Sequence, residues 1–297
     1  MDTHSPLTTP LTPDEPRVRE LPAWKATLLC ISAALLALAI MVLPGAIAPT
    51  VTTGATAETI VAGVFGVGFT VVGFPTLALL FGIPPRAMFL RWPTADSLRW
   101  VGVALSLAVL LVAIGVGSGM VSIDTGNLDL NQVVGSLVAG AAIGLWTATL
   151  EESLIRGILC SIIGHRWHWP GAIATTAILF GLLHHAAATT LTGTILYIAL
   201  TSVAGVLFGI ITVTSGSIGN AVLFHAAWNS MFNEFVVSLE SGTGDSILAL
   251  ATDGHVLVAA GGSSLTESPL ALALFVLALL GTWWRCCRTT QPLSKQP

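Results

Sequence analysis

The sequence predicts an all-α protein, a polytopic bundle of about eight transmembrane helices with both termini cytoplasmic. Three observations predict it. Hydrophobic residues make up 54% of the 297 positions and charged residues only 9%, whereas a soluble domain carries about 25% charged residues. Eight stretches are apolar over close to the ~20 residues that a helix needs to cross a bilayer. Ten of the eleven Lys and Arg residues fall at or beyond alternate ends of these stretches, the pattern that the positive-inside rule gives an even number of spans.

The expected spans cover residues 25–48, 59–83, 98–121, 132–164, 169–188, 193–214, 217–239 and 269–284. The fourth is long and holds charges in its interior. The last is short. With the N-terminus inside, Arg17, Arg19 and Lys25 lie at the inner face, as do Arg86, Arg91 and Arg99, then Arg166, then Arg285, Arg288 and Lys295. The opposite connections hold Glu58, Asp124, Asp129, Glu240, Asp245, Asp253 and Glu267, with no Lys or Arg. Trp24, Trp92, Trp100, Trp167, Trp169, Trp283 and Trp284 gather at the same inner interface, where an aromatic belt belongs.

This division sets the expected organisation. Residues 1–22, rich in Pro and Thr, form a disordered cytoplasmic tail. Residues 23–129 carry the N-terminal transmembrane helices, and 130–237 form a core that holds every unusual polar residue. Residues 238–268 form an extracytoplasmic loop. The stretch 247–262 is assigned to it because Asp253 and His255 interrupt its apolar run. Residues 269–297 supply the last helix and a cytoplasmic tail. The first apolar stretch has no clear cleavage site and is read as a retained helix. The expected location is therefore the cell membrane, with multiple passes.

A net charge of −4 gives no sign of a nucleic-acid partner. The four cysteines show no metal-ligand spacing. Cys30 and Cys160 read as small core residues. Cys286 and Cys287 read either as interfacial thiols or as acylation sites. No internal repeat is evident, which counts against a transporter.

Three expected spans contain residues that do not belong in lipid. The fourth holds Glu151-Glu152-Ser153-Leu154-Ile155-Arg156. The fifth holds Phe180-Gly181-Leu182-Leu183-His184-His185. The seventh holds His225-Ala226-Ala227-Trp228-Asn229, with Glu234 further on. An ionisable group at bilayer depth costs roughly 2.5–3.5 kcal/mol on insertion scales, so each marks a functional site by default. By a helical rise of about 1.5 Å per residue, Glu151 and Glu152 lie roughly 18–20 Å from the inner end, His184 roughly 23 Å, His225 roughly 12 Å and Asn229 roughly 18 Å. These levels are compatible with one shared site.

Spacing separates roles. Glu152 and Arg156 are four apart with Glu first, the favoured order for a helical ion pair. Glu151 points about 100° away and has no partner in its own helix, which leaves it available as a general base. His225 and Asn229 project together, and imidazole and amide are both donors for an oxyanion. Taken singly, Glu152–Arg156 reads as a packing ion pair, Asn229 as interhelical hydrogen bonding and His185 as packing or support. The conjunction of acid, imidazole and amide on three spans exceeds what helix packing needs.

In order, the motifs are E-E-x-x-x-R at Glu151, Glu152 and Arg156, F-x-x-x-H at Phe180 and His184, and H-x-x-x-N at His225 and Asn229. Their pattern resembles the CPBP family, which groups CAAX prenyl endopeptidases of the Ras-converting type with bacteriocin-processing and self-immunity proteins. The resemblance covers roughly residues 130–237.

It implies an intramembrane endopeptidase acting on a membrane-associated or prenylated CAAX-type peptide. Glu151 and His184 would activate a water, His225 and Asn229 would hold the oxyanion, and Glu152 and Arg156 would shape the site. No cofactor is expected. The alternative is Zn held by Glu151, His184 and His225. Partners are a peptide or protein substrate in the membrane and the bilayer itself. The alternative function is a non-catalytic immunity or scaffold protein of the same fold.

Overall fold

The computed structural model describes residues 15–91, 93, 97–125, 128–185, 190–238, 246–252, 256–259 and 265–289. Trp92, Glu240, Asp245, Asp253, His255 and Lys295 lie outside the described residues, as does most of the expected N-terminal tail.

The chain is a polytopic helical bundle. Its helices are α1 (Glu15–Arg19), α2 (Ala23–Val51), α3 (Ala55–Leu80), α4 (Ser97–Gly117), α5 (Leu130–Glu152), α6 (Ser161–Arg166), α7 (Trp169–Leu183), α8 (Leu191–Ser215), α9 (Ile218–Met231), α10 (Val256–Ala259) and α11 (Pro269–Thr289). A π-helical segment, Ser153–Cys160, joins α5 to α6 without a break. Within residues 15–22, expected in the tail, Glu15–Arg19 form a short helix. Val18 of α1 is fully buried, and Arg166 donates to the Leu21 carbonyl.

Among the described residues, six helices are long and apolar enough to cross a membrane: Ala23–Val51, Ala55–Leu80, Ser97–Gly117, Leu130–Arg166, Leu191–Ser215 and Pro269–Arg288. Large apolar side chains point outward from them, including Leu35 and Leu38 on α2, Val72 on α3, Val109 on α4 and Leu277 on α11. Such surfaces belong against lipid. The other two expected spans form shorter helices. α7 has 15 residues and α9 has 14, about 21–23 Å of helix against a hydrocarbon core of about 30 Å.

Side chains explain where these two stop. Asn233 donates to the Asn229 and Ser230 carbonyls, and its own Oδ1 accepts from the Phe235 and Val236 amides. That ties off the end of α9 and turns the chain. His184 closes α7, its Nδ1 2.7 Å from the Phe180 carbonyl.

The starts are fixed the same way. Asp129 and Gln132 form a reciprocal capping box at α5. Thr190 caps α8 and Ser217 caps α9. Small residues let the core helices close on one another, as in membrane bundles generally. A Cβ at Gly144 of α5 would stand 2.7 Å from the Ser230 amide nitrogen, and one at Gly205 of α8 would stand 2.8 Å from Ala177 Cα. α5, α9, α8 and α7 are thereby drawn together around one centre.

The expected extracytoplasmic loop is not an isolated excursion. β1 (Val121–Thr125), β2 (Val237–Ser238) and β3 (Leu248–Thr252) form a small sheet in the order β1-β3-β2. β1 runs antiparallel to β3, with Val121 opposite Thr252, and β2 runs parallel to β3. Val237, Leu250, Val258 and Leu265 are buried in the same core as α4, α8 and α9. A purely α reading overlooks this sheet, because three short strands scattered over 130 residues leave no local run of alternation to detect.

Candidate active site

All six residues singled out in the sequence meet at one place. Glu151 and Glu152 end α5, Arg156 sits in the π segment, His184 closes α7, and His225 and Asn229 lie on α9. π-helical turns recur at functional sites, and this one falls inside the E-E-x-x-x-R motif.

One side of the site is sealed. Glu152 and Arg156 are fully buried, with Glu152 Oε1 3.2 Å from Arg156 Nη1. Arg156 also donates from Nη2 to the Gly205 carbonyl at 3.2 Å. Its guanidinium lies over the rings of Phe180 and Phe208, 4.4 and 5.4 Å from their centroids. A planar cation can use its edge for hydrogen bonds and its face for aromatic rings at once. The same Glu152 Oε1 lies 3.1 Å from His225 Nδ1. A carboxylate only accepts, so His225 donates from Nδ1. The His225 ring stacks on Phe208 at 5.0 Å and 20°. Glu152 is thus the hub that holds both Arg156 and His225.

The other side is open to a small cavity of about 70 Å³, whose walls include His184, Tyr197, Phe208, His225, Asn229 and Phe275. Glu151 is about a quarter exposed. Its Oε2 stands 3.7 Å from His225 Nε2 and 4.0 Å from His184 Nε2. Both gaps exceed a direct hydrogen bond and suit a bridging water. His184 Nδ1 faces a backbone carbonyl, which only accepts, so Nδ1 carries the proton. In neutral His184, Nε2 is therefore the acceptor, and it is the atom turned toward Glu151. Asn229 donates from Nδ2 to Thr147 Oγ1 at 3.1 Å, and an amide nitrogen keeps a second hydrogen beyond that bond.

The i,i+4 pairing of Glu152 with Arg156 and the separate direction of Glu151 are both as the spacing predicts. His185 is exposed, bonded only to the Leu182 carbonyl among the described residues, and stands apart from the cluster. Glu234 is exposed beyond the end of α9. Four participants were not singled out in the sequence: Thr147, Tyr197, Gly205 and Phe208. Thr147 carried a usable signal, since it lies four residues before Glu151 on the same helix face. Tyr197, the chain's one tyrosine, sets its ring edge-on to His184 at 5.7 Å. Gly205 and Phe208 act through a carbonyl and an aromatic face, which leave no polar mark in an apolar helix.

The Zn alternative can be tested against these distances. Among the described residues, no group of three or more His, Cys, Asp or Glu is placed to hold a metal ion. Zn ligands sit about 2.0–2.2 Å from the metal, so tetrahedral donors lie roughly 3.3–3.6 Å apart. The 4.0 Å between Glu151 Oε2 and His184 Nε2 corresponds to a ligand–metal–ligand angle of about 130–145° at metal distances of about 2.1–2.2 Å, wider than tetrahedral. Glu151 Oε2 thus stands somewhat farther from His184 and His225 than tetrahedral Zn ligands stand from one another.

Fold and site together define a polytopic helical membrane protein with an acid–imidazole–amide cluster inside its bundle. Residues 133–231 match the family model described as type II CAAX prenyl endopeptidase, Rce1-like. Over this third of the chain the sequence is similar to that family, and the matched stretch spans Glu151, Glu152, Arg156, His184, His225 and Asn229. Neither the curated proteins nor the solved structures give a match to this chain.

Proposed function

We propose that this protein is an intramembrane endopeptidase that hydrolyses a peptide bond with a water activated by Glu151 and His184. The observation that carries the reading is the placement of Glu151 Oε2, buried and without a hydrogen-bond partner among the described residues, within 4.0 Å of the Nε2 atoms of two imidazoles that line a cavity, while its neighbour Glu152 is tied to Arg156 and His225.

A water set between Glu151 and His184 can give its proton to either acceptor as its oxygen attacks the scissile carbonyl. The carbonyl oxygen then becomes an oxyanion. His225 Nε2, when protonated, and the second hydrogen of the Asn229 amide are donors facing the same cavity. Donors aimed at developing charge in a site shielded from water supply much of a typical rate enhancement. The proton held by Glu151 or His184 passes to the leaving amine as the C–N bond breaks.

Glu152 and Arg156 touch none of the reacting atoms in this scheme. Glu152 fixes the His225 ring through Nδ1, and Arg156 balances the Glu152 charge. Phe180, Phe208, Trp228 and Phe275 wall the cavity with apolar rings, a setting that suits an apolar segment of substrate. The family description supports a membrane-associated or prenylated CAAX-type peptide as the substrate.

The test is cleavage by purified protein in lipid vesicles of a farnesylated CAAX peptide and its unprenylated counterpart, with products identified by mass spectrometry. The reading expects two complementary fragments, formed without added metal and in the presence of a chelator. Stoichiometric bound zinc required for cleavage would replace the metal-free scheme. Absence of cleavage of either peptide would turn the substrate search to peptidomics of membranes holding wild-type or Glu151→Ala protein.

A further inference from the structure

A second cavity lies on the far side of the α5–α9 seam and shares no lining residue with the first. Its volume is about 260 Å³. Two ridges form its long walls. Val67, Val71 and Pro75 on α3 face Leu145 and Thr149 on α5 and Ser153 at the start of the π-helical segment. Each set repeats at i, i+4 and i+8, so each ridge runs about 12 Å along its helix. Val222 of α9 closes the back.

The walls offer almost nothing to a polar ligand. Thr70 and Thr149, both lining residues, turn their hydroxyls onto the Gly66 and Leu145 carbonyls of their own helices. The charged residue lining the cavity is Arg91. It is exposed and sits in the connection between α3 and α4, beyond the ends of both spans and hence at headgroup depth. Ser217 fixes this connection by donating to the Arg91 carbonyl at 2.9 Å. The cavity is therefore a slot parallel to the helices, apolar along its length and cationic at one end.

We infer that this slot binds one acyl chain of an anionic phospholipid, with its phosphate at Arg91. An alkyl chain matches a narrow apolar channel that follows the helix axes. A phosphate matches a guanidinium at the interface, and basic pockets between transmembrane helices hold lipid headgroups in this way. Chain and headgroup are covalently joined in a lipid, and the two features here are joined in one cavity. The inference does not rest on the proteolytic reading. A protein that binds the lipid and cleaves nothing would overturn only the latter.

Native mass spectrometry of the full chain, purified in a neutral detergent, tests the site. The probes are phosphatidylglycerol, phosphatidylcholine with the same chains, and inorganic phosphate. The expected result is one tightly held phosphatidylglycerol per chain, bound at least about tenfold more strongly than phosphatidylcholine, a difference of about 1.4 kcal/mol, with no retention of phosphate alone. Arg91→Gln should reduce phosphatidylglycerol to the phosphatidylcholine level. Leu145→Trp, which fills the slot, should abolish retention of both lipids, and Val71→Trp should do the same from the opposite wall should the first variant fold poorly. Equal retention of the two lipids by the wild type, undiminished binding in Arg91→Gln, or undiminished binding in a folded slot-filled variant would overturn the inference. Retention of phosphate alone would also overturn it, since the acyl chain would then contribute nothing.

Discussion

Glu151 and Glu152 are neighbours in the chain, yet they face opposite halves of the site. Glu152 is fully buried and shared between Arg156 and His225, and the Arg156 guanidinium lies over Phe180 and Phe208. The Glu151 side chain is a quarter exposed, its Oε2 has no hydrogen-bond partner among the described residues, and it stands 3.7 and 4.0 Å from two imidazoles that line the cavity. The difference arises from one step of about 100° around a helix. It teaches that a pair of identical side chains can divide into an anchor and a reagent when the helix carrying them lies between a packed seam and an opening.

Removing one partner on the sealed side should have the largest effect. Replacing Arg156 by Leu leaves Glu152 buried without its counter-charge, which costs about 3–5 kcal/mol in comparable buried pairs. Replacing both, Glu152→Leu with Arg156→Met, should restore most of that stability, because the desolvation of both ions is removed together. Unfolding in mixed micelles measures both variants. Equal destabilisation by the single and double changes would mean that the pair is not the anchor described above.

On the open side the effects should fall on rate rather than on stability. Asn229→Ala should lower kcat about 10²–10³-fold with little change in KM, the loss typical of one oxyanion donor. A change confined to KM would move Asn229 from the transition state to substrate binding. Thr147→Val should have the smallest effect. It removes the acceptor that orients the Asn229 amide, a bond worth about 1 kcal/mol, or about fivefold in kcat. Paired with Asn229→Ala it should add nothing further, since Thr147 acts through Asn229.

Much of this was legible in the sequence, and the limits have physical causes. The apolar runs gave the helices and their order, because the bilayer demands both length and low polarity. The three motifs gave the side chains that cluster, because a charge inside an apolar run is visible without any structure. The short reach of α7 and α9 was not legible. Their apolar runs continue past the point where Asn233 and His184 turn side chains back onto the helix ends, and hydropathy does not register a cap. The sheet escaped because its strands join residues as far apart as Val121 and Thr252. The anchor's remaining contacts, the Gly205 carbonyl and the Phe208 face, come from residue types that any lipid-facing helix also contains.

The most direct test of this division of labour is to measure cleavage and thermal unfolding together for Glu151→Gln. The substitution keeps size and polarity but removes the carboxylate that would accept the proton. The account predicts loss of cleavage by about 10²–10⁴-fold, the range for a general base, with the unfolding midpoint of the wild type. Cleavage at the wild-type rate would contradict it, as would loss of cleavage that comes with unfolding of the bundle.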